Sequence, residues 1–88
     1  MKVVLSLQAR EDLRDVLGYI VEDTPRAARS VLARIRERVE ELQRYPHIGR
    51  PGRVPGAREL VITGTPYLAP YLAVNDTLQI LRACHGAR

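Results

Sequence analysis

The sequence predicts an α+β fold, β-α-α-β-β-β, in which an antiparallel helical hairpin packs on a mostly antiparallel sheet. Three observations carry the prediction. Apolar residues recur with a helical period twice between residues 7 and 45. The period changes to two after residue 57. The segment between them, "PHIGRPGRVPGAREL", interleaves Pro46, Pro51 and Pro55 with Gly49, Gly52 and Gly56. Proline fixes some backbone angles and glycine frees others, so this segment is expected to be a loop of defined path rather than a flexible Gly/Ser linker.

Taken in order, Val3, Val4 and Leu5 form a short run of β-branched and aliphatic residues before Ser6, a good helix N-cap, and residues 2–5 are expected to be a strand. In the helix that follows, Ala9, Leu13, Val16, Leu17 and Ile20 make one apolar stripe, with Arg10, Glu11, Arg14 and Asp15 facing out; it fades near Glu22. In "EDTPRAA", Thr24 can cap free amides, while Pro25 at the first helical position loses no hydrogen bond. Ala28, Leu32, Ile35, Val39 and Leu42 continue the helical period until Pro46 ends it, giving a second helix of about 30 Å. After the Pro/Gly segment, "ELVIT", "YLAPYLAV" and "TLQILRAC" are expected to be three strands. Asn75-Asp76 makes a compact hairpin and Gly64-Thr65-Pro66 a looser turn. Pro70 cannot donate to a ladder, so an irregularity is expected there.

The chain's 88 residues are read as one domain, 1–88, which buries roughly 60–65% of the surface its unfolded form exposes. With four Tyr and neither Phe nor Trp, its core must be aliphatic. The net charge of +4 favours anionic partners such as nucleic acid or an acidic protein segment. All but one of the 14 basic residues are Arg, suited to bidentate recognition of phosphate or carboxylate, although a GC-rich genome has the same effect. Cys84 is the only cysteine, so no intrachain disulfide forms and a reducing cytoplasm is the expected compartment. No signal-type or membrane-spanning apolar run is present.

One Cys with His47 and His85 makes no zinc set, and GxGxxG, P-loop and GxSxG motifs are absent; no metal or cofactor is expected. The charges of the second helix, among them the pair Glu40 and Arg44, read as a solvated face. The densest basic set is Arg58, Arg82, His85 and Arg88 on the sheet half, joined by Arg50 and Arg53 from the loop. Such a set can bind phosphate, stabilise a pentacovalent transition state and, through His85, move a proton; an ordinary basic surface with His85 satisfied at a strand end is the favoured reading, because a lone His has no named partner. Tyr67 and Tyr71, four apart on one strand face, are expected to pack rather than to stack on bases. Strict alternation over 77–85 puts Leu78, Ile80, Arg82 and Cys84 on one face and Gln79, Leu81, Ala83 and His85 on the other. A charge ending an apolar row must then be paired, snorkel, or meet a partner.

The stretches "AREDLRDVLGYIVEDTPRAA", "YPHIGRPGRVPGARELVI" and "YLAPYLAVNDTLQILRACHGAR", with Gly49-Arg50, Gly52-Arg53, Arg58-Glu59-Leu60 and Ile80-Leu81-Arg82 followed by His85-Gly86, resemble the RelE/ParE superfamily of bacterial type II toxins, most of all its ParE branch. The resemblance implies a toxin neutralised by a cognate antitoxin whose C-terminal segment wraps it, with operator DNA reached only through the antitoxin and no membrane partner. It implies DNA gyrase, bound without catalysis, as the target. The alternative is a ribosome-dependent messenger RNA endoribonuclease using Arg58, Arg82, His85 and Arg88. A second alternative is an inactive homologue acting only as antitoxin partner and co-repressor. Leu68 after Tyr67, a single Lys at position 2 and no Tyr beyond Tyr71 depart from the ribonuclease pattern, which favours gyrase. The implied antitoxin- or target-binding residues are Arg50, Arg53, Arg58, Arg82, His85 and Arg88. Arg50 and Arg53 are expected to fix the loop and pair with carboxylates of the chain or the antitoxin.

Overall fold

The computed structural model describes residues 1–86. Strand β1 (Lys2–Leu5) leads through Ser6 into helix α1 (Leu7–Asp23), and α2 (Pro25–Arg44) follows after one residue. Thr24 ends α1 and starts α2: its N–H donates to the Ile20 carbonyl, and its hydroxyl accepts from the Ala27 N–H at 3.3 Å. Both helices begin at the caps the sequence supplies, and α2 stops at Arg44, before Pro46. The remaining strands are β2 (Arg50–Pro51), β3 (Arg58–Val61), β4 (Tyr67–Val74), β5 (Thr77–Ile80) and β6 (Cys84–His85). The sheet order is β1-β5-β4-β3-β2, with β6 pairing to β4 beyond the end of β5. Among the described residues only β1 and β5 pair in parallel.

Helices cover one face of this sheet. Leu60, Ile62, Ala69, Tyr71, Leu78 and Ile80 form its buried side, against Ala9 of α1 and Leu42 of α2, with Val3, Leu5, Ile35 and Val39 packed around them. The core is aliphatic except for tyrosine: Tyr71 lies within it and Tyr67 at its margin, the packing role expected of both. An apolar cavity of about 200 Å³ remains between the layers, bordered by Leu13, Val16, Ile35, Val39 and Leu60.

Two expectations need correction. "TLQILRAC" is not one strand: β5 ends at Ile80 and pairing resumes only at Cys84. Between the pairs Tyr71↔Ile80 and Leu68↔Cys84, β4 contributes Ala69 and Pro70 while the opposing chain contributes Leu81, Arg82 and Ala83, so the ladder carries a one-residue bulge. Pro70 explains its place. The Pro70 carbonyl accepts from the Leu81 N–H at 2.8 Å, and the ring nitrogen on the same strand edge has no hydrogen to return. The irregularity expected at Pro70 falls on the strand opposite, while β4 itself runs unbroken.

Because of the bulge, the expected row Leu78, Ile80, Arg82, Cys84 does not exist. Leu78 and Ile80 face the helices, whereas Cys84 is opposite Leu68 on the uncovered face and His85 is opposite Tyr67. The second correction concerns the Pro/Gly segment, which contains β2, a two-residue strand paired with β3 through Arg50↔Glu59 and Pro51↔Arg58. Elsewhere the turns form as read: Asn75 enters the left-handed region at φ 51° between Val74 and Thr77, and Ile62 and Tyr67 close the looser turn.

Candidate functional site

The Pro/Gly loop is clasped from below by one side chain. The Tyr71 hydroxyl, at the end of a ring that is 1% exposed, donates to the Pro46 carbonyl at 2.9 Å and accepts from the Gly49 N–H at 3.0 Å. Gly49 permits this approach, since a Cβ there would stand 2.6 Å from the Tyr71 hydroxyl and 3.0 Å from the Glu59 carbonyl. Further along, the Gly52 N–H donates to the Ala57 carbonyl at 2.8 Å, and a Cβ at Gly52 would lie 2.9 Å from that oxygen. The loop has the defined path expected of it.

Between the 52–57 loop and the uncovered sheet face lies a cleft of about 230 Å³, lined by Arg53, Glu59, Leu68, Pro70, Cys84 and His85 among others. Glu59 is 9% exposed and accepts from Arg50 Nε at 3.2 Å, so Arg50 is paired within the chain as expected. Arg53 is exposed at the cleft and makes no hydrogen bond or ion pair with another described residue. Burial pushes the Cys84 thiol above its ordinary value, an effect the Arg82 charge only partly opposes, which keeps the thiol protonated and weakly nucleophilic at neutral pH. His85 lies edge-on to Tyr67, with ring centroids 5.8 Å apart.

The other two arginines point elsewhere. Arg58, opposite Tyr71 and therefore on the helix side, donates from Nη1 to the Gly49 carbonyl at 2.8 Å. Arg82 turns toward α1 and grips Asp12 with two bonds, Nε to Oδ2 at 2.6 Å and Nη2 to Oδ1 at 3.1 Å. The hydrogen bonds from Arg82, opposed by burial and aided by the Ala83 N–H, hold the Asp12 carboxyl down at about 2. Of the three outcomes open to Arg82, pairing is the one realised.

The five arginines and the histidine singled out in the sequence are thus not gathered in one place. Arg50, Arg53 and His85 border or approach the cleft, Arg58 and Arg82 are held on the helix side, and Arg88 lies outside the described residues. Sequence reasoning missed Asp12 and Glu59 as partners. Asp12 sits in an ordinary charged helix, and only the Arg82 expected to need a partner hints at it; Glu59 is marked by being the one acid near the loop arginines. Among the described residues, no three His, Cys, Asp or Glu side chains converge as metal ligands, and no helix is long and apolar enough to cross a membrane.

Against known proteins, residues 3–88 match the family described as ParE toxin of type II toxin–antitoxin system, parDE. The chain is 42% identical over 81 residues to the protein named toxin Y4kP of Sinorhizobium fredii, covering 92% of this chain and 83% of that one. It is 32% identical over 87 residues to toxin RelE2 of Caulobacter vibrioides, covering 99% and 97%. A solved structure described as the chromosomal ParDE TA system from P. aeruginosa superposes with a TM-score of 0.86 at 31% identity, covering 99% of this chain and 97% of that one.

Proposed function

We propose that this chain, which belongs to the ParE toxin family of type II toxin–antitoxin systems, acts by binding DNA gyrase and not by cutting RNA. As such a toxin it has a cognate antitoxin as its partner. The observation that carries the choice of target is the division of the basic side chains between two faces. Cleavage by a 2′-hydroxyl needs a base, an acid and phosphate ligands converging on one phosphodiester, each contributing a factor of roughly 10²–10⁴. Arg58 and Arg82, the two strand-end cations suited to a phosphate clamp, are engaged by the Gly49 carbonyl and by Asp12. What remains at the uncovered face is a surface suited to contact: the exposed Arg53, the paired Arg50 and His85 around a cleft floored by Leu68 and Pro70. Arg53, His85 and Arg88 are the positions proposed to touch target or antitoxin.

Purified protein added to a gyrase supercoiling reaction is expected to block supercoiling or to trap cleaved DNA; unchanged supercoiling at micromolar protein would overturn the reading. A second reading, ribosome-dependent cleavage of messenger RNA, is favoured by the 32% identity to a protein named toxin RelE2 along 99% of the chain. It predicts new 5′ ends within translating messages during growth arrest, where the gyrase reading predicts intact messages.

A further inference from the structure

We propose that Asp12 is a positioning residue for toxin activity: it holds the 81–83 bulge, and thereby β6, in place, so that Arg82 serves the fold and does not touch the target. The proposal rests on the reading that β6 and the cleft beside it face the target. β6 cannot place itself. Among the described residues it is a two-residue ladder on β4, extended by the Gly86 N–H donating to the Pro66 carbonyl at 2.7 Å. Its position follows from the three bulge residues before it, of which Leu81 keeps its N–H on the Pro70 carbonyl while the remaining backbone groups need other partners.

Those partners come largely from one short stretch, residues 6–12. The Ser6 N–H donates to the Ile80 carbonyl at 2.9 Å, and the Ser6 hydroxyl donates to the Leu81 carbonyl at 2.9 Å while accepting from the Ala9 N–H at 3.0 Å. Asp12 Oδ2 accepts from the Ala83 N–H at 3.0 Å in addition to Arg82 Nε. Gln8 Nε2, one turn back, donates to Asp12 Oδ1 at 3.1 Å. Four donors from three residues therefore converge on a carboxylate whose side chain is 11% exposed. An isolated surface ion pair adds little to a fold, but a bidentate arginine on a carboxylate that also accepts a backbone N–H fixes both distance and direction. The ion pair joins residues 70 positions apart, and among the described residues the bonds of Asp12 and of the N-cap Ser6 are the side-chain bonds that tie the start of α1 to the segment leading into β6.

Asp12→Asn keeps the shape of the carboxylate but presents an amide to donors. Together with Arg82→Ala and the double variant it separates positioning from target contact. Each single variant is expected to raise the induced dose needed for growth arrest about tenfold, and the double variant to be no worse than either, because both remove the same latch. Amide exchange reads the latch directly. The Ala83 and Gly86 amides are expected to exchange about tenfold faster in Asp12→Asn, while the Ile62 amide, bonded to the Tyr67 carbonyl at 3.0 Å, keeps its rate and shows the core folded. Unchanged exchange at Gly86 in Asp12→Asn would overturn the proposal. So would loss of arrest in Arg82→Ala with Asp12→Asn fully toxic, since Arg82 would then meet the target itself. Neither readout depends on which target is struck, so a failed gyrase assay leaves this test standing.

Discussion

Removing one oxygen atom tests the clasp beneath the Pro/Gly loop. In Tyr71→Phe the ring still fills its place in the core, while the Gly49 N–H and the Pro46 carbonyl lose the partner they share at 3.0 and 2.9 Å. A typical hydrogen bond contributes about 0.5–1.5 kcal/mol net, so two sum to about 1–3 kcal/mol. The upper half of that range applies, because Gly49 is buried and the Tyr71 ring is 1% exposed, so the stranded groups have little access to water. A loss of about 2 kcal/mol in a domain of this length lowers the melting temperature by roughly 10 °C. Urea denaturation gives the free energy. Tyr67→Phe is the control, since its ring packs on the core but its hydroxyl makes no hydrogen bond within the described residues; it is expected to change stability by less than about 0.5 kcal/mol. Equal, small losses in both variants would refute the clasp and leave the loop path to its prolines and glycines alone.

Gly49→Ala would drive a methyl into the same hydroxyl and the Glu59 carbonyl, and is expected to cost about 2 kcal/mol in the same denaturation experiment. Acid provides another test. The Asp12 carboxyl is held at about 2 against an ordinary 3.8, so its contribution is complete above pH 4 and is lost as the pH falls through 2. The full shift corresponds to roughly 2 kcal/mol, which solvent around the half-exposed Arg82 reduces to about 1 kcal/mol. Stability measured between pH 5 and pH 2 is expected to fall less steeply in Asp12→Asn than in the parent chain, and parallel curves would contradict the assignment.

The helix boundaries and the order of layers were legible because local chemistry determines them. Ser6, Thr24 and Pro25 start helices wherever they meet an apolar stripe, and Pro46 stops one. β2 was not legible because two residues contain no period, and its pairing depends on a loop whose path is set by Tyr71 from 22 residues away. The bulge was half legible. Pro70 signalled a defect in the sheet, but alternation in "TLQILRAC" runs on without a break, and nothing local says which strand yields. The ion pairs of Arg50 and Arg82 follow from the register and from helix docking, so the sequence could mark the arginines without naming Glu59 and Asp12.

That single extra residue also governs how the last strand bears on mechanism. Side chains alternate with a period of two, so a one-residue bulge inverts every face assignment beyond it. Uninterrupted alternation would set His85 against the row of Leu78 and Ile80, on the uncovered side where a substrate phosphate would lie. The register instead puts Cys84 there, opposite Leu68, and sets His85 opposite Tyr67, whose ring belongs to the core margin on the helix side. His85, which borders the cleft at its edge, is therefore on the helix-side phase of the strand, and the thiol in the uncovered position is kept protonated by burial. Together with Arg82 turned toward Asp12, this phase favours an open face that recognises a surface over one that assembles an acid, a base and a phosphate clamp. Inserting one alanine between Ala83 and Cys84, with the bulge kept, would set Cys84 opposite Tyr67 and move His85 to the uncovered face. Such a variant is expected to lose toxicity if β6 works by contact; an unchanged growth-arrest dose would show that the register of β6 is immaterial to the activity.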